Sequence, residues 1–281
     1  MGRVRGHRHD VRSVTWCRHA VAYSGEVPFT LAHPALVLPL RRSGLPLTAL
    51  VAGSLSPDLP LYVPGGLLGS RDEGHSWTHT WFGLVAFDLP VGILLVLAWT
   101  YMLSEPLHDA APDALRDRLR PRRARPRSRS VWWSVPVAVL LANLGHLGWD
   151  QLTHEPSWTT ARLPVLEQDL AGLPVARWLM YAFSVLGLAA IAWVVWRELR
   201  DRPARRTPRV SPDLAPWIVR APLVVAVALA IRTMITIGPY LGTHALLYYM
   251  LTSGIAAGVA VLLVVCVVWQ MLAPVDRPEA V

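Results

Sequence analysis

A chain of 281 residues that is 53% hydrophobic and only 16% charged is too apolar for an ordinary soluble domain, where about a quarter of residues are charged. Its net charge of +8 rests on arginine alone, because the sequence has no lysine. The arginines cluster between apolar stretches, a pattern of membrane topology, and nucleic acid is therefore not an expected partner.

The expected fold is all-α: a polytopic transmembrane helical bundle with about six to seven hydrophobic segments, the lipid bilayer being its partner. Residues 1–26 are basic and form a disordered tail in this reading, with no apolar core of a secretory signal. Translation from Val27 is the alternative expectation, which mass spectrometry of the native amino terminus would decide. Residues 27–272 are expected to form one transmembrane domain, with the chemistry in 27–160, and 273–281 to form a short cytoplasmic tail. Cys17 and Cys266 lie far apart, which points to neither a disulfide framework nor a cysteine metal site.

Residues 28–40 are apolar, carry His33 and end at Arg41-Arg42; at this length they predict a half-helix or a re-entrant segment. Residues 45–64 follow. Their Ser56-Pro57-Asp58-Leu59-Pro60 should end a helix and leave Asp58 at or just past its terminus. Residues 65–80 read as a Gly-rich loop with His75 and His79. Five clearer spans are expected at 81–103, 132–152, 174–196, 217–238 and 245–272, the first carrying Asp88 and Pro90. Asp88, over two turns below His79, reads as a packed, hydrogen-bonded acid inside the membrane rather than a ligand.

Two connectors are rich in arginine, from Arg116 to Arg129 and from Arg197 to Arg209, and both should be cytoplasmic. The loop 153–173 has Arg162 against Glu155, Glu167 and Asp169, so it should face outward. This topology carries His75, His79, Asp58, Asp150 and His154 to the outer face, with His146 one turn deeper and His33 near mid-membrane. His146, Asp150 and His154 stand at i, i+4 and i+8, so an α-helix puts them on one face, drifting by only about 40° per step. Ionisable groups in a membrane segment need a partner, a wet cavity or a metal. Each has a plain alternative: His146 and Asp150 as a hydrogen-bonded packing pair, His33 as a helix-start residue, Asp58 as a turn residue, His79 as an interfacial ring and His154 as a solvated helix end. Their convergence on one side favours a metal centre. Mixed nitrogen and oxygen donors suit zinc, or manganese, as one or two ions.

Pro28-Phe-Thr-Leu-Ala-His33-Pro-Ala, Gly53-Ser-Leu-Ser-Pro57-Asp58, Thr78-His79-Thr with Gly83 to Pro90, and His146-x3-Asp150 resemble the bacterial membrane family called domain of unknown function 4184, over about residues 27–200. In ligand order that family is similar to membrane-bound metal-dependent hydrolases, and remotely to the zinc-dependent phospholipase C and single-strand nuclease superfamily. The resemblance implies His33 as first ligand, Asp58 as ligand or bridge, His79 or His75 as third, and His146 with Asp150 as the last pair. A second His-x3-Glu pair downstream is absent, which argues against a three-metal cluster. The expected function is an inner-membrane, metal-dependent hydrolase of a phosphate ester or lipid-like substrate, its site extracytoplasmic. The alternative is a non-catalytic or transport protein using the cluster structurally or as a proton relay.

Overall fold

The computed structural model describes residues 30–63, 71–119, 129–154 and 157–273, without the side chains of 71–73, 75, 129–131 and 244. The basic tail 1–26, and with it Cys17, therefore lies outside the described residues, as do most of the carboxy-terminal residues 273–281.

The architecture is helical, with a single two-residue hairpin among the described residues. A 3-10 helix, Thr30–Arg42, opens it and contains Pro34 and Pro39. The two prolines remove amide donors from this segment, and the tighter coil climbs about 2 Å per residue. Thirteen residues therefore reach about 26 Å, further than the half-helix expected from α-helical rise. Then come α1 (Leu47–Leu55) and a 3-10 turn, Ser56–Tyr62, which begins where Pro57 bars continuation of the α-helix and which carries Asp58.

Residues 71–78 depart from the expected loop: they form α2 (Arg71–Thr78). α3 (Trp81–Ala110) is a long helix whose turns Leu84–Asp88 and Trp99–Leu103 are π-helical. The wider turn at 84–88 precedes Pro90 and gives its ring room that a regular α-turn would not. A short α4 (Asp113–Arg116) is followed by α5 (Arg129–Thr153). The strands β1 (Asp169–Leu170) and β2 (Leu173–Pro174) pair antiparallel, and then come α6 (Val175–Arg200), α7 (Ala215–Ile237) and α8 (Thr243–Leu272).

Four helices are long and apolar enough to cross a membrane by length and composition: α3, α6, 215–240 and 245–272. The chain is thus a membrane protein. The four among the described residues are fewer than the six to seven segments expected: α5, though continuous, carries Asn143, His146 and Asp150, and the segments before α3 are short.

α1 is pressed against α5. A Cβ on Gly53 would stand 2.4 Å from the Val139 carbonyl oxygen, so only glycine permits this approach. Leu50, Ala49, Val96, Ala138, Val139 and Ala142 form the core around it. At the far end the two arginine-rich connectors are tied to each other. Arg116 donates to the Thr207 carbonyl at 2.8 Å, and Arg205 N donates to the Asp117 carbonyl at 2.8 Å. Buried Asp109 accepts from Val210 N, Ser211 N and the Trp269 indole at 2.7, 3.0 and 2.9 Å. Asp109→Ala would orphan these three donors, at about 1–3 kcal/mol each. The melting temperature in detergent should fall by several degrees, and an unchanged value would show that the carboxylate does not hold this end together.

Candidate metal centre

Four stretches meet at the end of the bundle opposite the connectors. Three imidazoles there share one construction. His146, on α5, puts Nδ1 2.9 Å from the Ser54 carbonyl oxygen. A carbonyl only accepts, so Nδ1 carries a proton and Nε2 is the nitrogen turned to the carboxylates. That Nε2 lies 3.0 Å from Asp150 Oδ2 and 3.5 Å from Asp58 Oδ1. His33, on the first 3-10 helix, donates Nδ1–H to the Thr30 carbonyl at 3.3 Å and turns Nε2 to Asp150 Oδ1 at 3.2 Å. The Thr78 hydroxyl donates to the Pro57 carbonyl at 2.7 Å, so it accepts from His79 Nδ1 at 3.2 Å. His79 Nε2 then faces Asp150 Oδ2 at 3.0 Å.

Each imidazole is thus oriented by an outer acceptor and turns Nε2 to a carboxylate oxygen. At about 3 Å the two atoms need a proton or a metal ion between them. This outer support is what metal-ligating histidines have, and it fixes their tautomer. Ligand atoms of Asp58, His79, His146 and Asp150 all lie within 4.8 Å of one another. A tetrahedral ion with bonds near 2.05 Å holds its donors about 3.3 Å apart; His79–Asp150, His146–Asp150 and His146–Asp58, at 3.0, 3.0 and 3.5 Å, stand close to that value. Asp58 and His146 are fully buried and Asp150 is 5% exposed, so the negative charge needs a local partner. The donor set fits a divalent ion: the cluster can hold a metal.

His33 stacks on His146 with ring centroids 4.1 Å apart, and its Nδ1 is 3.8 Å from Asp58 Oδ2. It lies beside the four mutually close donors, as a further ligand or as support for His146. His154 is more peripheral. Its Nδ1 is 3.5 Å from Asp150 Oδ1 and 3.1 Å from the Thr153 hydroxyl. The backbone of His75 belongs to α2, but its side chain lies outside the described residues. Asp88 is fully buried, yet neither carboxylate oxygen has a hydrogen-bond partner among the described residues, unlike the hydrogen-bonded acid expected.

A cavity of about 10 Å³ borders the cluster between α5 and α6. His33, Asp150 and His154 form its polar side, and Trp149, Met180 and Phe183 its apolar side. Sequence reasoning missed the orienting groups. Thr78 adjoins a candidate ligand and was the findable one; the carbonyls of Thr30, Ser54 and Pro57 have no residue-type signature. Thr78→Val keeps the side-chain shape and removes the hydroxyl beneath His79. Ion affinity should drop about 10–100-fold while the fold persists. Unchanged affinity in a calorimetric titration would mean that His79 is held some other way.

No curated protein and no solved structure matches the chain. The model of a domain of unknown function, DUF4184, matches residues 27–272, beyond the 27–200 that carry the motifs, and the chain belongs to that family.

Proposed function

We propose that the chain is a membrane-embedded, metal-dependent hydrolase of a phosphate ester or lipid-like substrate, working at the extracytoplasmic face. The observation that carries this reading is the inward aim of three Nε2 atoms at two buried carboxylates, each ring held from outside. Asp58, His79, His146 and Asp150 would hold one zinc or manganese ion, with His33 and His154 available to a second. Such an ion, when bound, acidifies water and polarises a phosphoryl or acyl oxygen.

The chain's own residues do the rest. Asp150 stands at the centre of four imidazoles and keeps their nitrogens turned to one point. Thr78 and the Ser54 and Thr30 carbonyls hold the tautomers. The Phe183 and Trp149 rings, with centroids 4.4 Å apart, form an apolar wall of the cavity. His154 lines the cavity beside the cluster and, where a single ion is held, would be the imidazole left to serve as a proton donor. Sidedness follows from charge: the joined arginine connectors belong in the cytosol, which turns the cluster outward. A fluorescent reporter fused after Val281 should therefore mature in the cytosol, and a dark fusion that is exported would reverse the assignment.

The decisive experiment is elemental analysis of the purified full-length protein, together with hydrolysis of a phosphate-ester panel and of phospholipid in vesicles. One or two zinc or manganese ions per chain should be found. Turnover should disappear with a chelator and return with the metal. Metal-free protein with full activity would end the proposal.

A further inference from the structure

Polar character continues below the ligand cluster. Asp88 closes the π-helical turn Leu84–Asp88 and is fully buried, with no hydrogen-bond partner for either oxygen among the described residues. α3 and α5 run antiparallel, since His79, just before α3, meets Asp150, and a Cβ on Gly92 would stand 2.5 Å from Val139 Cγ1. This register sets Asp88 level with Asn143, about one turn below His146. Asn143 is also fully buried; its Oδ1 accepts from Ser56 at 3.0 Å, and its Nδ2 has no partner among the described residues.

The titratable groups acting on Asp88 across these elements are His79, His146 and Asp58, with no guanidinium among them. Asp88 is thus a third buried carboxylate below Asp58 and Asp150. A divalent ion between Asp58 and Asp150 neutralises two of them. The third charge has no ion pair, and a carboxyl so placed is stable only with a proton or under a nearby positive charge.

We propose that Asp88 is a proton-binding site coupled to the ion above it: it holds a proton while the cluster is without metal and releases it when metal binds. This rests on the metal reading of the cluster. Without the ion, full burial with no hydrogen-bond partner among the described residues disfavours an anion at Asp88. With it, two positive charges stand above Asp88 and favour the anion. The carboxyl O–H bond breaks, its electron pair stays on the oxygen, and the proton passes to solvent, so one positive charge leaves as two arrive. The Asn143 amide offers the anion left behind an N–H donor at its own level.

The test is infrared difference spectroscopy of the full chain, chelated and then supplied with Zn²⁺, with ion content measured on the same sample. Wild type should lose one protonated-carboxyl carbonyl band, sensitive to heavy water, as the ion binds. Asp88→Asn should bind the ion and lack that loss. Asp88→Glu, which keeps the carboxyl should the amide variant not fold, should restore it at a shifted frequency. Ion binding by wild type without the loss, or the same loss in Asp88→Asn, would overturn the proposal. Wild type that takes up no ion would overturn the metal reading itself, and this proposal with it.

Discussion

Asp150→Ala should leave the protein folded and without its metal. The carboxylate lies 3.2 Å from His33, 3.0 Å from His79, 3.0 Å from His146 and 3.5 Å from His154, so it joins four of the candidate donors. Loss of even an outer-sphere partner costs about 10–100-fold in metal affinity, and loss of a direct carboxylate ligand should cost on the order of 100-fold or more. Alanine is the best helix former and sits well near the end of α5, so circular dichroism should be preserved while ion content falls to background. Retention of stoichiometric metal by a folded Asp150→Ala protein would remove Asp150 from the ligand set. It would also leave the imidazoles without a common anchor.

Gly53→Leu should have the largest effect on stability. Its Cβ would stand 2.4 Å from the Val139 carbonyl oxygen and 2.9 Å from both Val139 Cα and Ala142 Cβ. Two of these three atoms are α5 backbone, so no rotamer change relieves the clash and the helices must separate. Overpacking in a core costs about 1–3 kcal/mol when side chains can adjust, and a backbone collision should exceed that. Separation would also withdraw the Ser54 carbonyl, next in sequence, from His146. Thermal unfolding in detergent should therefore shift down together with metal affinity. A variant that melts like wild type and binds metal normally would show that α1 and α5 are not packed this closely.

The sequence makes the long apolar helices legible because burial in lipid requires runs of the right length, and α3, α6, α7 and α8 have them. The i, i+4 placement of His146 and Asp150 is legible too, since α-helical period alone puts them on one face. α2 was hidden: Arg-Asp-Glu-Gly-His-Ser-Trp-Thr has no apolar stripe, and the three glycines before it, Gly65, Gly66 and Gly69, suggest a loop. The 3-10 form of Thr30–Arg42 was hidden as well, since a proline signals where an α-helix fails but not what replaces it. The tautomer-fixing carbonyls of Thr30, Ser54 and Pro57 are backbone atoms. Every residue has one, and only the three-dimensional path of the chain decides which faces a ring. For Asp88, membrane burial was evident from the sequence, whereas its lack of partners depends on what α5 presents at the level of Asn143.

The cavity beside the cluster has room for about one water molecule. Its apolar wall includes Met180 and Phe183 on α6, a helix whose apolar stretch is only 11% buried by the rest of the protein. A compound larger than water that enters between α5 and α6 has to widen this gap, and the outer face of α6 is apolar. Admission is then governed by how well a compound dissolves in the bilayer, so potency in a series of inhibitors should follow lipid solubility more closely than aqueous concentration.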